Sequence, residues 1–128
     1  MAKILVAEDE KQIADMISFK LTNAGHKVVR APDGEQAMAS AKREMPDLIL
    51  LDVMMPGLSG IEVLRRLKND PLLRSVPVIM VTAKGHERDV LAGLRGGAAD
   101  YIVKPFSLKE LSARVELALR KEPPATAS

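Results

Sequence analysis

Five short apolar runs recur along the chain, each followed by a stretch with helical periodicity. This alternation constrains the fold more than any other feature. The runs are residues 3–7 (KILVA), 27–31 (KVVRA), 47–51 (DLILL), 77–82 (PVIMVT) and 100–103 (DYIV). Strands this uniformly apolar offer no polar face to water, so they are buried on both sides. That is the signature of a parallel sheet covered by helices on each face. Between them, residues 10–24 carry Ile13, Met16, Ile17 and Leu21 at helical spacing, and Gly25 is a stop. Asp33 with Gln36 forms a capping box that opens a helix to about Glu44. Ser59 with Glu62 opens another, ended by Asp70-Pro71. A weak helix spans about 86–95, where Gly93 costs roughly 1 kcal/mol relative to Ala and Gly96-Gly97 closes it. Ser107 with Glu110 caps the last helix, whose apolar stripe is Leu108, Leu111, Val115 and Leu119. Phe106 and Leu111 sit at the two positions of a hydrophobic staple. Five βα units joined by right-handed crossovers predict a doubly wound α/β fold with strand order 2-1-3-4-5.

The length of 128 residues suits one domain, expected over 1–121. Residues 122–128 (EPPATAS) read as a tail or linker stub. An apolar fraction of 47% supports a sizeable core, and three aromatics (Phe19, Tyr101, Phe106) make that core aliphatic. A formal net charge of +2 is too near neutral to argue for a nucleic-acid or anionic-membrane surface. With no cysteine, disulfides and thiolate metal sites are excluded. No apolar run approaches the ~20 residues of a membrane span, and residues 1–7 are too short for a signal peptide. A soluble, cytoplasmic protein is expected. His26 and His86 fall in turns and receive no role.

The most apolar run ends on a carboxylate. In "LILLDVMMPGLSG", Leu48–Leu51 lead into Asp52, and Pro56 and Gly57 then turn the chain away. In a parallel sheet all strand C-termini share one edge, where ligands bind at the switch in strand order. Strand 1 ends in Glu8-Asp9, strand 3 in Asp52, strand 4 in Thr82 and strand 5 in Lys104. The expected order therefore gathers three carboxylates, a hydroxyl and an ammonium. Two like charges ~4 Å apart repel by roughly 4 kcal/mol at an effective dielectric near 20, so the group needs a cation. An all-oxygen donor set suits Mg²⁺, or Mn²⁺. The ammonium makes sense if a further anion arrives, and a phosphoryl group fits: the metal takes one oxygen, Lys104 another and Thr82 a third. Asp52 is the central carboxylate nucleophile, and the Met54 carbonyl can turn toward the metal.

Four stretches, "ILVAEDE", "LILLDVMMPGLSG", "VIMVTA" and "ADYIVKPF", resemble the acidic-pair, phosphoacceptor, Thr and Tyr–Lys-Pro motifs of the receiver domain of two-component response regulators (the CheY-like superfamily, flavodoxin-like in fold). The resemblance runs over residues 3–120. It implies a metal at Glu8, Asp9, Asp52 and the Met54 carbonyl, and phosphorylation of Asp52 by a sensor histidine kinase or phosphotransfer protein. It implies contacts from Thr82 and Lys104 to the phosphoryl group, a switch through Thr82 and Tyr101, and an output surface on the fourth helix, fifth strand and fifth helix. It also points to a cis Lys104-Pro105 bond. Asp100 and Arg114 are expected to pair across a two-fold axis. Val90, Ala99 and Arg95 depart from the transcription-factor pattern, so a monomer or weak dimer is expected. Glu8 stands where Asp is commoner. The downstream partner is left open, with no direct nucleic-acid or membrane contact expected.

Two other functions compete. A Mg²⁺-dependent phosphatase working through an aspartyl-phosphate would want a second Asp two residues after the nucleophile, where this chain has Met54. A flavodoxin-like cofactor binder would want a phosphate-cradling loop after strand 1, where "AEDEKQ" is acidic. Asp9 with Gln12 can also be read as a plain helix cap. Neither Met54 nor Lys84, two residues beyond Asp52 and Thr82, would position an attacking water, so slow hydrolysis is expected.

Overall fold

A computed structural model describes residues 1–83 and 85–120, with the side chain of Glu87 left out. The expectations for Lys84 and for the tail at 122–128 lie outside the described residues.

Among the described residues, five strands alternate with five helices. They are β1 (Lys3–Ala7), α1 (Lys11–Asn23), β2 (Lys27–Ala31), α2 (Gly34–Glu44), β3 (Leu48–Asp52), α3 (Gly60–Asn69), β4 (Val78–Ala83), α4 (Glu87–Arg95), β5 (Asp100–Lys104) and α5 (Leu108–Arg120). The strands form one parallel sheet in the order β2-β1-β3-β4-β5, as expected. Three of them end one residue later than their apolar runs, so Asp52, Ala83 and Lys104 are strand residues. Asp52 pairs with Val81, and Lys104 with Ala83.

Alternation along the strands splits the interior in two. Ile4, Val6, Leu48, Leu50, Ile79 and Ile102 face one way and pack with Ile17 and Leu21 of α1 and Leu111 and Val115 of α5. Leu5, Ile49, Leu51, Val78 and Met80 face the other way and pack with Ala37 and Ala41 of α2 and Val63, Leu64 and Leu67 of α3. Burying one such Leu or Ile side chain is worth about 1.5–3 kcal/mol, and Leu48 to Leu51 are all buried on one face or the other.

The predicted caps close their helices. Gln36 N–H donates to Asp33 Oδ1 at 2.8 Å, Glu62 N–H to Ser59 Oγ at 3.2 Å and Glu110 N–H to Ser107 Oγ at 2.9 Å. Leu111 lies in the α1/α5 core and Phe106 packs against that core. The helix start at α1 is different: Glu10, not Asp9, is the N-cap, and its side chain makes no capping bond. The plain-cap reading of Asp9 therefore fails.

At the opposite pole of the sheet His26 is buried. Its Nδ1 accepts from the Ala2 N–H at 3.1 Å, which leaves the proton on Nε2 to donate to Glu116 at 2.6 Å. His26 thereby ties the start of β1 to the end of α5. Its part is structural.

Candidate functional site

The C-terminal edge of the sheet carries the chemistry. Glu8 follows β1 directly and is 4% exposed; Asp52 ends β3 and is 3% exposed. Asp9 is exposed beside them. One carboxylate oxygen from each of Glu8, Asp9 and Asp52 lies within 4.8 Å of the others. These are hard oxygen donors at mutual distances that a small divalent cation can bridge. Glu8 Oε1 is buried without a hydrogen-bond partner, so the site has unused donor capacity. On these grounds the residues fit a Mg²⁺ or Mn²⁺ ion.

Lys104 reaches this cluster from β5. Its Nζ lies 3.1 Å from Asp52 Oδ2, 3.1 Å from Glu8 Oε1 and 3.3 Å from Glu10 Oε1. The Glu8 Oε1 approach is an ion pair outside hydrogen-bond geometry, and the bond to Glu8 runs to Oε2 at 3.3 Å. Glu10 is a fourth carboxylate that the sequence reading passed over. The signal was its place directly after the acidic pair; its reach toward Lys104 depends on how the first turn of α1 is set. The Lys104-Pro105 peptide is cis, as expected.

The electrostatics follow from burial. Glu8 is pushed up to about 7, first by desolvation and then by the hydrogen bond and charge of Asp52, with the Glu10 N–H and Lys104 opposing. Desolvation works to lower Lys104, but the charges of Asp52 and Glu8 outweigh it and raise it above the ordinary lysine value. The ammonium is therefore a permanent cation here.

The loop after β3 is shaped by glycine. Gly57 has φ 75°, in the left-handed region. Gly60 opens α3 against β3: a Cβ there would overlap the Asp52 carbonyl oxygen and lie 2.7 Å from Val53 Cα. Within the loop the Met54 N–H donates to Asp52 Oδ1 at 3.1 Å. Met54 itself is exposed, whereas Val53 and Met55 are buried in the core.

Thr82 is 1% exposed and its Oγ1 has no hydrogen-bond partner. It lines a groove of about 440 Å³ together with His86, Val90, Leu91, Tyr101 and Val103. Tyr101 is half-buried against the α2/α3 core. Asp100 and Arg114 do not wait for a second chain: Arg114 Nη1 donates to both Asp100 oxygens at 2.9 Å. A pairing across a two-fold axis would have to exchange with this internal one. α5 packs beside β5 and places Arg114 over the strand's first residue.

Comparison with known proteins yields the following. A family model described as the response regulator receiver domain matches residues 4–116. The chain is 50% identical over 121 residues to the phosphate regulon transcriptional regulatory protein PhoB of Pseudomonas aeruginosa, covering 94% of this chain and 53% of that protein. It is 47% identical over 119 residues to the alkaline phosphatase synthesis transcriptional regulatory protein PhoP of Bacillus subtilis, covering 93% and 49%. The chain thus spans about half the length of the curated relatives it matches. Among solved structures, a putative response regulator from Chloroflexus aurantiacus superposes with a TM-score of 0.90 at 35% identity, covering 94% of this chain and 98% of that one. The receiver domain of the Francisella response regulator 1452 gives 0.86 at 36% identity, with the same coverage.

Proposed function

The chain belongs to the response regulator receiver domain family and is a phosphoacceptor signalling domain, and from that premise we propose that Asp52 takes the phosphoryl group, with Mg²⁺ or Mn²⁺ held by Glu8, Asp9, Asp52 and the Met54 carbonyl. The observation that carries this reading is a buried carboxylate at a strand end with a lysine Nζ 3.1 Å away. A phosphohistidine of a sensor kinase or phosphotransfer protein is the donor. An oxygen of Asp52 attacks phosphorus, the phosphorus–nitrogen bond breaks, and the imidazole leaves. The Met54 N–H holds Oδ1 and so fixes the plane of the carboxylate. Lys104 follows the charge from the carboxylate to a phosphoryl oxygen. The Thr82 hydroxyl, free of other partners, can donate to another. When bound, the divalent ion neutralises part of the charge on the phosphoryl oxygens. Hydrolysis is slow, because Met54 offers neither carboxylate nor amide to orient a water.

The domain is assigned to residues 1–121, with 122–128 a tail or linker. Its output runs through Thr82 and Tyr101 to the face of α4, β5 and α5, where the partner is another protein or an effector domain. The near-neutral charge supports protein rather than nucleic-acid contact by this domain, and the working place is cytoplasmic, where the kinase's phosphohistidine is found. The phosphatase reading is not favoured: Met54 stands where its acid would be.

Acetyl phosphate with Mg²⁺ tests the assignment. Intact mass is expected to rise by one phosphoryl group and Asp52→Asn to prevent it; unchanged labelling of that variant overturns the assignment. After desalting, the label is expected to persist for minutes or longer, and loss within seconds contradicts slow hydrolysis.

A further inference from the structure

The loop from Val53 to Ser59 is gripped from outside the site, by the first turn of α2. A Cβ built on Gly34 would overlap the Leu58 carbonyl oxygen and lie 2.5 Å from Leu58 Cβ and 2.9 Å from Leu58 C. These are backbone and near-backbone atoms, which cannot rotate aside as the tip of a long side chain can. One residue on, the Glu35 carboxylate lies over Gly57, with its Cδ 3.0 Å from where a Gly57 Cβ would be. The turn that makes both contacts is fixed by its own cap, with Asp33 accepting from the Gln36 N–H at 2.8 Å and the Gln36 Nε2 at 3.2 Å. At its far end the same loop is seated by Gly60, whose N–H donates to the Val53 carbonyl at 2.9 Å.

We propose that Gly34 is a positioning residue for the phosphoacceptor site: its missing side chain sets how closely α2 approaches Leu58, and thereby the height of the loop whose Met54 N–H holds Asp52. The inference rests on the phosphoacceptor reading above. The path is short and physical. A methyl group at 34 pushes Leu58 away. The loop is clamped at Gly60 and so rotates rather than translating freely. Met54 then moves relative to Asp52 Oδ1, and both the carboxylate plane and the Met54 carbonyl leave the positions that a small octahedral ion demands. Thr82 and Lys104 stand on other strands and are untouched. Glu35 supplies the opposite jaw of the same grip.

Gly34→Ala is the direct test, read by Mg²⁺ titration and by the Met54 amide in nitrogen–proton spectra of metal-free protein. The expected result is Mg²⁺ affinity weakened about tenfold or more, the usual scale for disturbing groups behind metal ligands. The Met54 amide should also shift and exchange faster, while amides of β1 and β4 keep wild-type protection. A merely structural role for Gly34 would lower protection everywhere and leave Met54 unremarkable. A folded Gly34→Ala protein with wild-type Mg²⁺ affinity and an unmoved Met54 amide overturns the proposal. Should Gly34→Ala not fold, Glu35→Ala removes the exposed jaw without overlap. It is expected to change the Met54 amide and weaken Mg²⁺ binding in the same direction, and no change in either overturns the proposal equally. Wild-type protein that neither binds Mg²⁺ nor accepts a phosphoryl group from acetyl phosphate would instead sink the underlying reading.

Discussion

Lys104 faces three carboxylates at once, and this decides how the single residues of the site behave. Without a divalent ion, its ammonium is the counter-charge for Asp52, Glu8 and Glu10. Lys104→Met keeps the length of the side chain and removes the charge. It is expected to destabilise the metal-free protein by about 2 kcal/mol, the worth of charged hydrogen bonds lost from a mostly buried group. The same change removes a competing cation, so Mg²⁺ binding should tighten roughly tenfold, equivalent to about 1.4 kcal/mol. Weaker Mg²⁺ binding in the variant would contradict this account of Lys104. Glu8 supplies the pH dependence. Its value in the folded chain is about 7, raised by burial and then by Asp52 from the ordinary 4.5. The folded state therefore binds more protons than the unfolded state between those values. The stabilisation is complete below 4.5 and is lost as pH rises through 7. In chelator, unfolding free energy is expected to fall across this window by on the order of 1–3 kcal/mol. Denaturant melts of wild type and Glu8→Gln at several pH values check it, and a variant with the same slope refutes it.

Among the elements, α4 is the one least held. Of its described residues only Gly93 is buried, while Leu91 and Leu94 are 53% and 43% exposed. A Cβ at Gly93 would sit 3.0 Å from Met80 Cγ, so the glycine lets the helix lie close to β4. His86 begins the helix without a side-chain cap. A helix with so few buried side chains opens at low cost, which suits it to the switch proposed for Thr82 and Tyr101. Amide exchange over residues 85–106 is expected to change on adding beryllofluoride and Mg²⁺; identical exchange in the two states defeats the switch. The internal Asp100–Arg114 pair alters what a dimer test can say. Arg114→Ala is expected to lower stability by about 1 kcal/mol or less in the isolated chain, since the pair is partly exposed. Sedimentation of that variant must therefore be read beside its melting curve. Sequence reasoning placed every element because the inner strands β1, β3 and β4 are apolar and buried and three helix caps are local. The expectation of burial on both faces fails at the edge strands, where Lys27, Arg30 and Val103 are exposed because no neighbouring strand or helix covers them fully. It misjudged the ends of β3, β4 and β5 because ladder hydrogen bonds to a neighbour, not apolarity, decide where a strand stops. It gave no sign of the internal Asp100–Arg114 pair because a spacing along the sequence carries no distance between strand and helix. Glu8, Asp9, Asp52 and Lys104 were legible since each ends or follows a strand; Glu10 was not, since it belongs to a helix start.

For the whole molecule, the site and the fold share one equilibrium. A ligand that binds only the folded state at a hundred times its dissociation constant adds ~2.7 kcal/mol of stability, which for a domain of this size raises the melting temperature by roughly 10 °C. Calorimetry with and without Mg²⁺ is expected to find a rise of that order in wild type and a much smaller one in Asp52→Asn; equal rises would move the ion away from Asp52. The two-sided interior has a last consequence. By strand alternation Glu8, Asp52 and Lys104 lie on the side of the α1/α5 core, with Val6, Leu50 and Ile102. Thr82 and Tyr101 lie on the other side, with Met80 and the groove under α4. On the function proposed above, the sheet is a wall between a room where the message would be written and a room where it would be read. Its close-packed interior admits nothing. Among the described residues the two sides meet at the rim where the strands end, and Thr82, with its idle hydroxyl, stands in that doorway.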